Sequence, residues 1–169
     1  MDEEAIRNYL RNTRAIIEKH GWAVQAVLGS ASDGSAYSYT IGFTETLGHP
    51  EVFVAGFDYD LCRRLLNDVG SLIRDGADFR RPCLADKVIK DYHVAFRPVT
   101  EDSVRELCNA GRAALGVDVF DAVQMFLPDE AGRFPWDEGC EPSIARAQAG
   151  RIRTEGPLPG APVPPSALH

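Results

Sequence analysis

One imidazole and one carboxylate stand two residues apart in Gly48-His49-Pro50-Glu51, between the hydroxyl-rich Tyr37-Ser-Tyr-Thr-Ile-Gly-Phe-Thr44 and the apolar Val52-Phe-Val-Ala-Gly-Phe57. Proline biases the residue before it toward extended backbone, so positions 49 and 51 project to one side of the corner. A carboxylate beside an imidazole raises its pKa and selects its tautomer, which makes His49 and Glu51 candidates for general acid–base work. Glu51 can equally pair with an arginine. A second possibility adds His93 to form a two-histidine, one-carboxylate metal set. The competing expectation is that both imidazoles bond backbone carbonyls at the rim of a sheet, and no metal site is assigned. A His-x-Glu followed by Pro82-Cys83 also invites comparison with the zinc deaminase signature. Asp86 stands where that signature needs its second cysteine, and His49-Pro-Glu51 leads into a strand rather than a helix.

Around this corner lie residues suited to binding. Ser38, Thr40 and Gly42 would share one face of a strand, where small side chains let a ligand approach the backbone. A pocket built on the corner would take Tyr39 and Thr40 as lining, Gln124 and Asp129 as a polar lip, and Trp136 as a wall. The block Asp129-Glu-Ala-Gly-Arg-Phe-Pro-Trp136 holds its aromatics stiffly, because Pro135 restricts Phe134. Phe134 and Trp136 can equally plug one end of the core. Gly29-Ser-Ala-Ser-Asp-Gly34 lacks the lysine of a phosphate loop and reads as a hairpin turn. There is no Gly-x-Ser-x-Gly elbow, and Cys62, Cys83, Cys108 and Cys140 form no Cys-x-x-Cys pair.

The elements that must position these residues follow from periodicity. Ile6, Tyr9, Leu10, Thr13, Ile16, Ile17 and His20 recur at helical spacing, so a helix is expected over about 2–20, closed by Gly21. Trp22–Leu28 and Tyr37–Thr44 read as a hairpin, with Tyr37, Tyr39, Ile41 and Phe43 on one face. Val52–Phe57 is apolar on both faces, as in a central strand. A helix over about 60–75, capped by Asp58 or Asp60, carries the stripe Leu61, Leu65, Val69, Leu72 and Ile73. A strand follows near Val88–Arg97, then a helix opened by Thr100 with Val104, Leu107, Cys108, Gly111 and Leu115 inward, then the strand Ala122–Leu127. The predicted fold is α+β, a single domain with a mainly antiparallel sheet of about five strands and three helices.

Composition sets the outer limits. The 169 residues, 44% of them hydrophobic, suit one domain with a full core, placed at 1–147. Residues 148–169 change character, and five prolines from Pro157 to Pro165 predict a flexible tail. A formal net charge of -7 argues against a nucleic-acid partner. The acidic start and the lack of a long apolar run predict a cytoplasmic protein with no membrane span. No cofactor and no oligomeric state can be assigned from these residues.

Together His20-Gly-Trp22, Tyr39-Thr-Ile-Gly-Phe43, Gly48-His-Pro-Glu51, Gln124-x-x-x-Pro128-Asp129 and Phe134-Pro-Trp136 resemble a bacterial family known as a domain of unknown function, DUF4262. The resemblance covers about residues 14–140. It implies a small bacterial cytosolic protein of one domain and carries over no activity, cofactor or catalytic residue. The opening strands are also similar to those of split-barrel flavin reductases, with Ser38, Thr40 and Thr44 on the flavin-phosphate strand and Pro50 at the corner. That likeness implies a flavin site, yet no basic residue lies between Leu28 and Glu51 to meet a phosphate. The chain is therefore expected to bind a small-molecule ligand, with or without catalysis, at the His-Pro-Glu corner. The alternative is a non-catalytic protein-interaction domain using the acidic surface and the tail.

Overall fold

The computed structural model describes residues 2–29 and 35–160. Its centre is a six-stranded mixed sheet in the order β1-β2-β3-β6-β5-β4. The strands are β1 Ala23–Val27, β2 Tyr37–Ile41, β3 Glu51–Ala55, β4 Cys83–Ile89, β5 Tyr92–Pro98 and β6 Ala122–Phe126. All neighbours pair antiparallel except β3 and β6, which run parallel with Val52 level with Val123. Among the described residues the helices are α1 Glu3–His20, α2 Phe43–Thr46, α3 Tyr59–Arg74, α4 Glu101–Leu107, α5 Asn109–Leu115 and α6 Pro142–Gln148.

Local chemistry explains the long helices. Asp2 caps α1 by accepting the Ala5 N–H at 2.7 Å, and Gly21 ends it at φ 99°, a left-handed conformation that glycine adopts without penalty. Asp58 caps α3 through the Leu61 N–H at 2.9 Å. The apolar stripe of α3 buries Leu65, Leu66, Val69 and Ile73 against Val52, Val54, Val94, Phe96 and Met125 on one face of the sheet. On the other face Ile17 of α1, Val104 of α4 and Ala114 of α5 pack on Tyr37, Tyr39, Ile41 and Phe53. The sheet is thus covered on both sides.

The expected and observed elements differ in several places, and the described residues hold six helices rather than three, α6 among those not expected. The sheet has six strands rather than five because a hairpin replaces one expected strand, and it is mixed because β6 lies parallel beside β3, a pairing that joins residues some seventy positions apart, beyond the reach of any local pattern. The single strand expected near Val88–Arg97 is a hairpin of β4 and β5, turned at Lys90-Asp91 with Asp91 left-handed at φ 68°. The hydroxyl-rich strand stops at Ile41, and Phe43–Thr46 winds into α2, so Phe43 packs on the α3 side while Tyr39 and Ile41 pack on the other. The helix after Thr100 breaks at Cys108. Within one helix the Gly111 N–H would bond the Leu107 carbonyl. Here the Tyr39 hydroxyl accepts that N–H at 3.0 Å, and the Tyr37 hydroxyl donates to that carbonyl at 2.6 Å. Two buried tyrosines have taken the two halves of one helical bond.

The segment 153–156, expected to be part of a flexible tail, continues the sheet edge. Val99 and Thr154 form an antiparallel bridge, and the Glu155 N–H donates to the Pro98 carbonyl at 2.9 Å. The ordering interactions come from the folded part and not from the tail's own composition. The expected turn at 30–34 and the last residues, 161–169, lie outside the described residues.

Trp22 ties β1 to α3. Its indole N–H donates to Asn67 at 2.9 Å, the Arg74 guanidinium lies 4.7 Å over its ring, and Gly70 leaves the space the ring fills. A Cβ at Gly70 would overlap the Trp22 ring. Although alanine is the better helix former, Gly70→Ala is expected to cost about 1–3 kcal/mol in urea unfolding, as overpacked cores do. An unchanged or raised midpoint would show that the ring has room to move.

Candidate functional site

The corner singled out by the sequence is assembled around one carboxylate. Glu51 is fully buried at the start of β3. Its Oε1 accepts from the Thr40 hydroxyl at 2.8 Å and the Phe43 N–H at 2.9 Å. Its Oε2 accepts from the Gly42 N–H at 3.0 Å, the Thr44 N–H at 3.1 Å and the Thr44 hydroxyl at 3.0 Å. Three of these donors are the first free N–H groups of α2, which no preceding turn can satisfy. Thr40 also accepts the Val52 N–H at 2.9 Å, so its own proton must point to Glu51. Burial holds the Glu51 carboxyl above the usual range, and the donors from Thr44, Gly42, Thr40 and Phe43 offset only part of that rise.

His49 is equally enclosed, 2% exposed. Its Nε2 accepts the Phe79 N–H at 2.9 Å, which fixes the proton on Nδ1, and Nδ1 donates to the Pro50 carbonyl at 2.8 Å. Both ring nitrogens are therefore occupied by backbone. Burial holds the imidazole below its ordinary pKa, against the opposing pull of the Pro50 carbonyl and Asp78. The ring edge packs against Phe43 and Phe79, and Phe79 stacks on Phe96 at 4.3 Å between centroids. His49 fastens the loop after α3 to the entrance of β3.

The remaining candidates are dispersed. His93 is exposed at the start of β5, beside Asp91, Glu130 and Asp137 around a separate depression of about 550 Å³. Pro98, at the other end of β5, is level with Val123 and hence Val52, so about 17 Å of strand separates His93 from the level of Val52, and His49 lies beyond Val52 at the opposite end of the strands. The structure joins His49 to neither His93 nor Glu51, and among the described residues no group of three His, Cys, Asp or Glu side chains is disposed to hold a metal ion. Tyr39 is buried, stacked on Phe53 at 4.9 Å, and burial first, then the nearby Cys108, drives its hydroxyl pKa far up. Gln124 is buried mid-strand.

Asp129 organises the loop that follows β6. Oδ1 accepts the Ala131 and Arg133 N–H groups, and Oδ2 accepts the Arg133 side chain and the Glu141 N–H at 2.9 Å. Against the cost of its burial, the N–H groups of Arg133 and Glu141 and the Arg133 guanidinium bring its carboxyl down to about 2. Trp136 stacks on Phe134 at 5.3 Å, meets Phe126 edge-on, and donates to the Pro159 carbonyl at 3.0 Å. These aromatics close one end of the core. The Thr40 and Thr44 hydroxyls that the split-barrel likeness offers to a flavin phosphate point instead at Glu51.

What the corner does frame is an open cleft of about 590 Å³ at the N-terminal ends of β3 and β6. His49 and Pro50 form one wall, Val99 and Ala122 the floor, and Arg80, Arg81, Glu101, Asp121 and Glu155 the rim. Arg80 is held by Asp78 at 2.9 Å and by the Gly48 carbonyl at 3.2 Å. Among the described residues Arg81 makes no ion pair or hydrogen bond, and the side chains of Asp121 and Glu155 make none. Sequence reading missed this rim, since its members come from four separate segments, three loops and the start of α4. The adjacent Arg80-Arg81, two residues after Asp78, was the one available signal, and it reads as an ordinary solvated pair.

A single α+β domain, a two-sided mixed sheet and an enclosed His/Glu corner define the class of the protein. The family described as a domain of unknown function, DUF4262, matches residues 16–141, and the chain belongs to it. No curated protein and no solved structure matches the chain. No helix of the described residues is long and apolar enough to cross a membrane.

Two substitutions test the corner. Glu51→Gln presents an amide N–H₂ to groups that are themselves donors, and is expected to cost on the order of 3 kcal/mol, a fall of roughly 6–12 °C in Tm. A Tm within a degree or two of the parent would remove the structural role given to the carboxylate. For His49, the folded state binds a proton less readily than the unfolded state. Its stabilisation is therefore complete above about pH 6.5 and is lost as pH falls through the lower folded pKa. Between pH 7.5 and 5.5 the parent should lose stability relative to His49→Gln, by up to about 1.4 kcal/mol per pH unit. Parallel stability-pH curves for the two proteins would contradict the neutral, N–H-accepting imidazole.

Proposed function

We propose that the chain is a small-molecule-binding domain whose ligand occupies the cleft at the N-terminal ends of β3 and β6. Its His-Pro-Glu corner serves as a rigid wall and not as an acid–base pair. The observation that carries this reading is the contrast within the cleft: every polar atom of the His49 and Glu51 side chains is engaged internally, while Arg81, Asp121 and Glu155 stand at the rim with no ion pair among the described residues. A guanidinium and two carboxylates around one opening favour a polar ligand that carries both signs of charge, in the manner of a small zwitterion. An imidazole and a carboxylate already saturated with hydrogen bonds supply neither a base nor a nucleophile, so binding without chemistry is the simpler function.

The test is a thermal-shift screen of small polar metabolites against the full chain, repeated on Arg81→Ala and Asp121→Ala. Both residues are exposed, and their removal alone should move stability by no more than about 0.5 kcal/mol. Compounds that raise Tm in the parent should lose at least tenfold in affinity in both variants, read by calorimetry. Hits that bind all three proteins equally would place the ligand elsewhere. The interaction-domain alternative leans on the C-terminal tail, whose residues 161–169 lie outside the described residues.

A further inference from the structure

Arg97 on β5 and Gln124 on β6 are direct partners across the antiparallel pair, so their side chains leave the same face of the sheet as neighbours. Arg97 donates through Nη1 to the Thr154 hydroxyl at 2.7 Å and through Nη2 to the Gly156 carbonyl at 2.7 Å, which fastens the 154–156 segment beside the end of β5. Two buried side-chain polar atoms of the described residues lack a hydrogen-bond partner, and they are Arg97 Nε and Gln124 Nε2. Gln124 as a whole is 1% exposed.

Both atoms are donors, so neither can satisfy the other. Buried donors without acceptors are rare in folded proteins because each gives up its hydration for nothing. Two of them, side by side on adjacent strands, ask for one shared acceptor. The charge indicates what kind. Among the described residues Arg97 forms no ion pair, its other two nitrogens meeting only a hydroxyl and a carbonyl. One positive charge, partly removed from water and facing no carboxylate, favours an acceptor with one negative charge over a neutral one. The enclosure of both atoms limits that acceptor to a few heavy atoms.

We propose that Arg97 Nε–H and Gln124 Nε2–H form a binding site for a compact monovalent anion, of the size of chloride or formate, next to the 154–156 segment. The site stands apart from the cleft ligand, although Val99 and Ala122 of the cleft floor are the next residues along the same face. Occupancy ties β5, β6 and the C-terminal segment through one ion, so the anion acts on stability.

The experiment is thermal unfolding of the full chain at pH 7.5 in sodium chloride or sodium formate against sodium gluconate at matched ionic strength, gluconate being too large to enter. Chloride or formate should raise Tm saturably by roughly 3–8 °C. Gln124→Glu supplies a carboxylate beside Arg97 from within the chain, and should reach the anion-saturated Tm in gluconate alone with no further response. Gln124→Leu keeps the bulk, removes one donor, and should raise the half-saturating concentration at least tenfold. If that variant does not fold, the parent series and Gln124→Glu decide. Equal Tm in all three salts would overturn the proposal, leaving the donors to an internal water or to a reversed Gln124 amide with its oxygen on Arg97. A response that survives unchanged in Gln124→Glu would overturn it as well, since the ion then binds somewhere else.

Discussion

The Glu51 carboxylate is the contact on which the corner depends. A four-residue helix such as α2 is far too short to persist alone, because nucleation costs more than its few bonds return. Glu51 takes the N–H groups of Gly42, Phe43 and Thr44 and so replaces the missing preceding turn. Because the chain turns there, Phe43 crosses to the α3 side of the sheet and Tyr39 stays on the other. The two hydrophobic layers are sorted at that point. The end of α2 then delivers the Gly48 turn and His49, and His49 holds the loop carrying Phe79 against Phe96. One buried carboxylate thereby sets the geometry of a strand end, a short helix and a distant loop.

The two ends of the parallel pair are treated differently. In open α/β sheets the crevice beyond the C-terminal ends of parallel strands is the usual ligand site. Here that end is closed. The Gln148 side chain accepts the Leu127 N–H at 2.6 Å and donates to the Leu127 carbonyl at 2.8 Å, so an amide stands in for the next strand, and the Phe134–Trp136 pair packs nearby on Phe126. The N-terminal end is left open, walled by His49 and Pro50. The accessible charge of the cleft is carried by loops around a frame whose own polar groups are internally matched.

Much of this was legible in the residues, in proportion to how local its cause is. The periodic stripes of α1 and α3 and the apolar run of β3 led to the right elements, because each buries one face by a rule of spacing. Thr40, His49 and Glu51 read as one corner; Thr40 bonds Glu51, while His49 turns to the Pro50 carbonyl and the Phe79 N–H. Their engagement was not legible: the same residue types serve a site when hydrated and a frame when buried, and burial is decided by the pairing of β3 with β6 and by the Phe79 loop. The break at Cys108 had no local signal either. It depends on Tyr37 and Tyr39, some seventy residues earlier, whose hydroxyls intercept one helical bond. Gln124 and Asp129, read together as a polar lip, lie on opposite terms with their surroundings: Asp129 has four donors on its carboxylate, and Gln124 has a donor with no acceptor.

The placement of the two tryptophans has an optical consequence. Trp22 sits where β1 meets α3, beneath the Arg74 guanidinium, whereas Trp136 lies against Phe134 and is bonded to Pro159. One indole therefore reports the main core and the other the seam with the C-terminal segment. Release of that segment alone would alter the emission of Trp136 and leave that of Trp22 unchanged. The chain carries built-in fluorophores that separate a local opening from global unfolding, with no label attached.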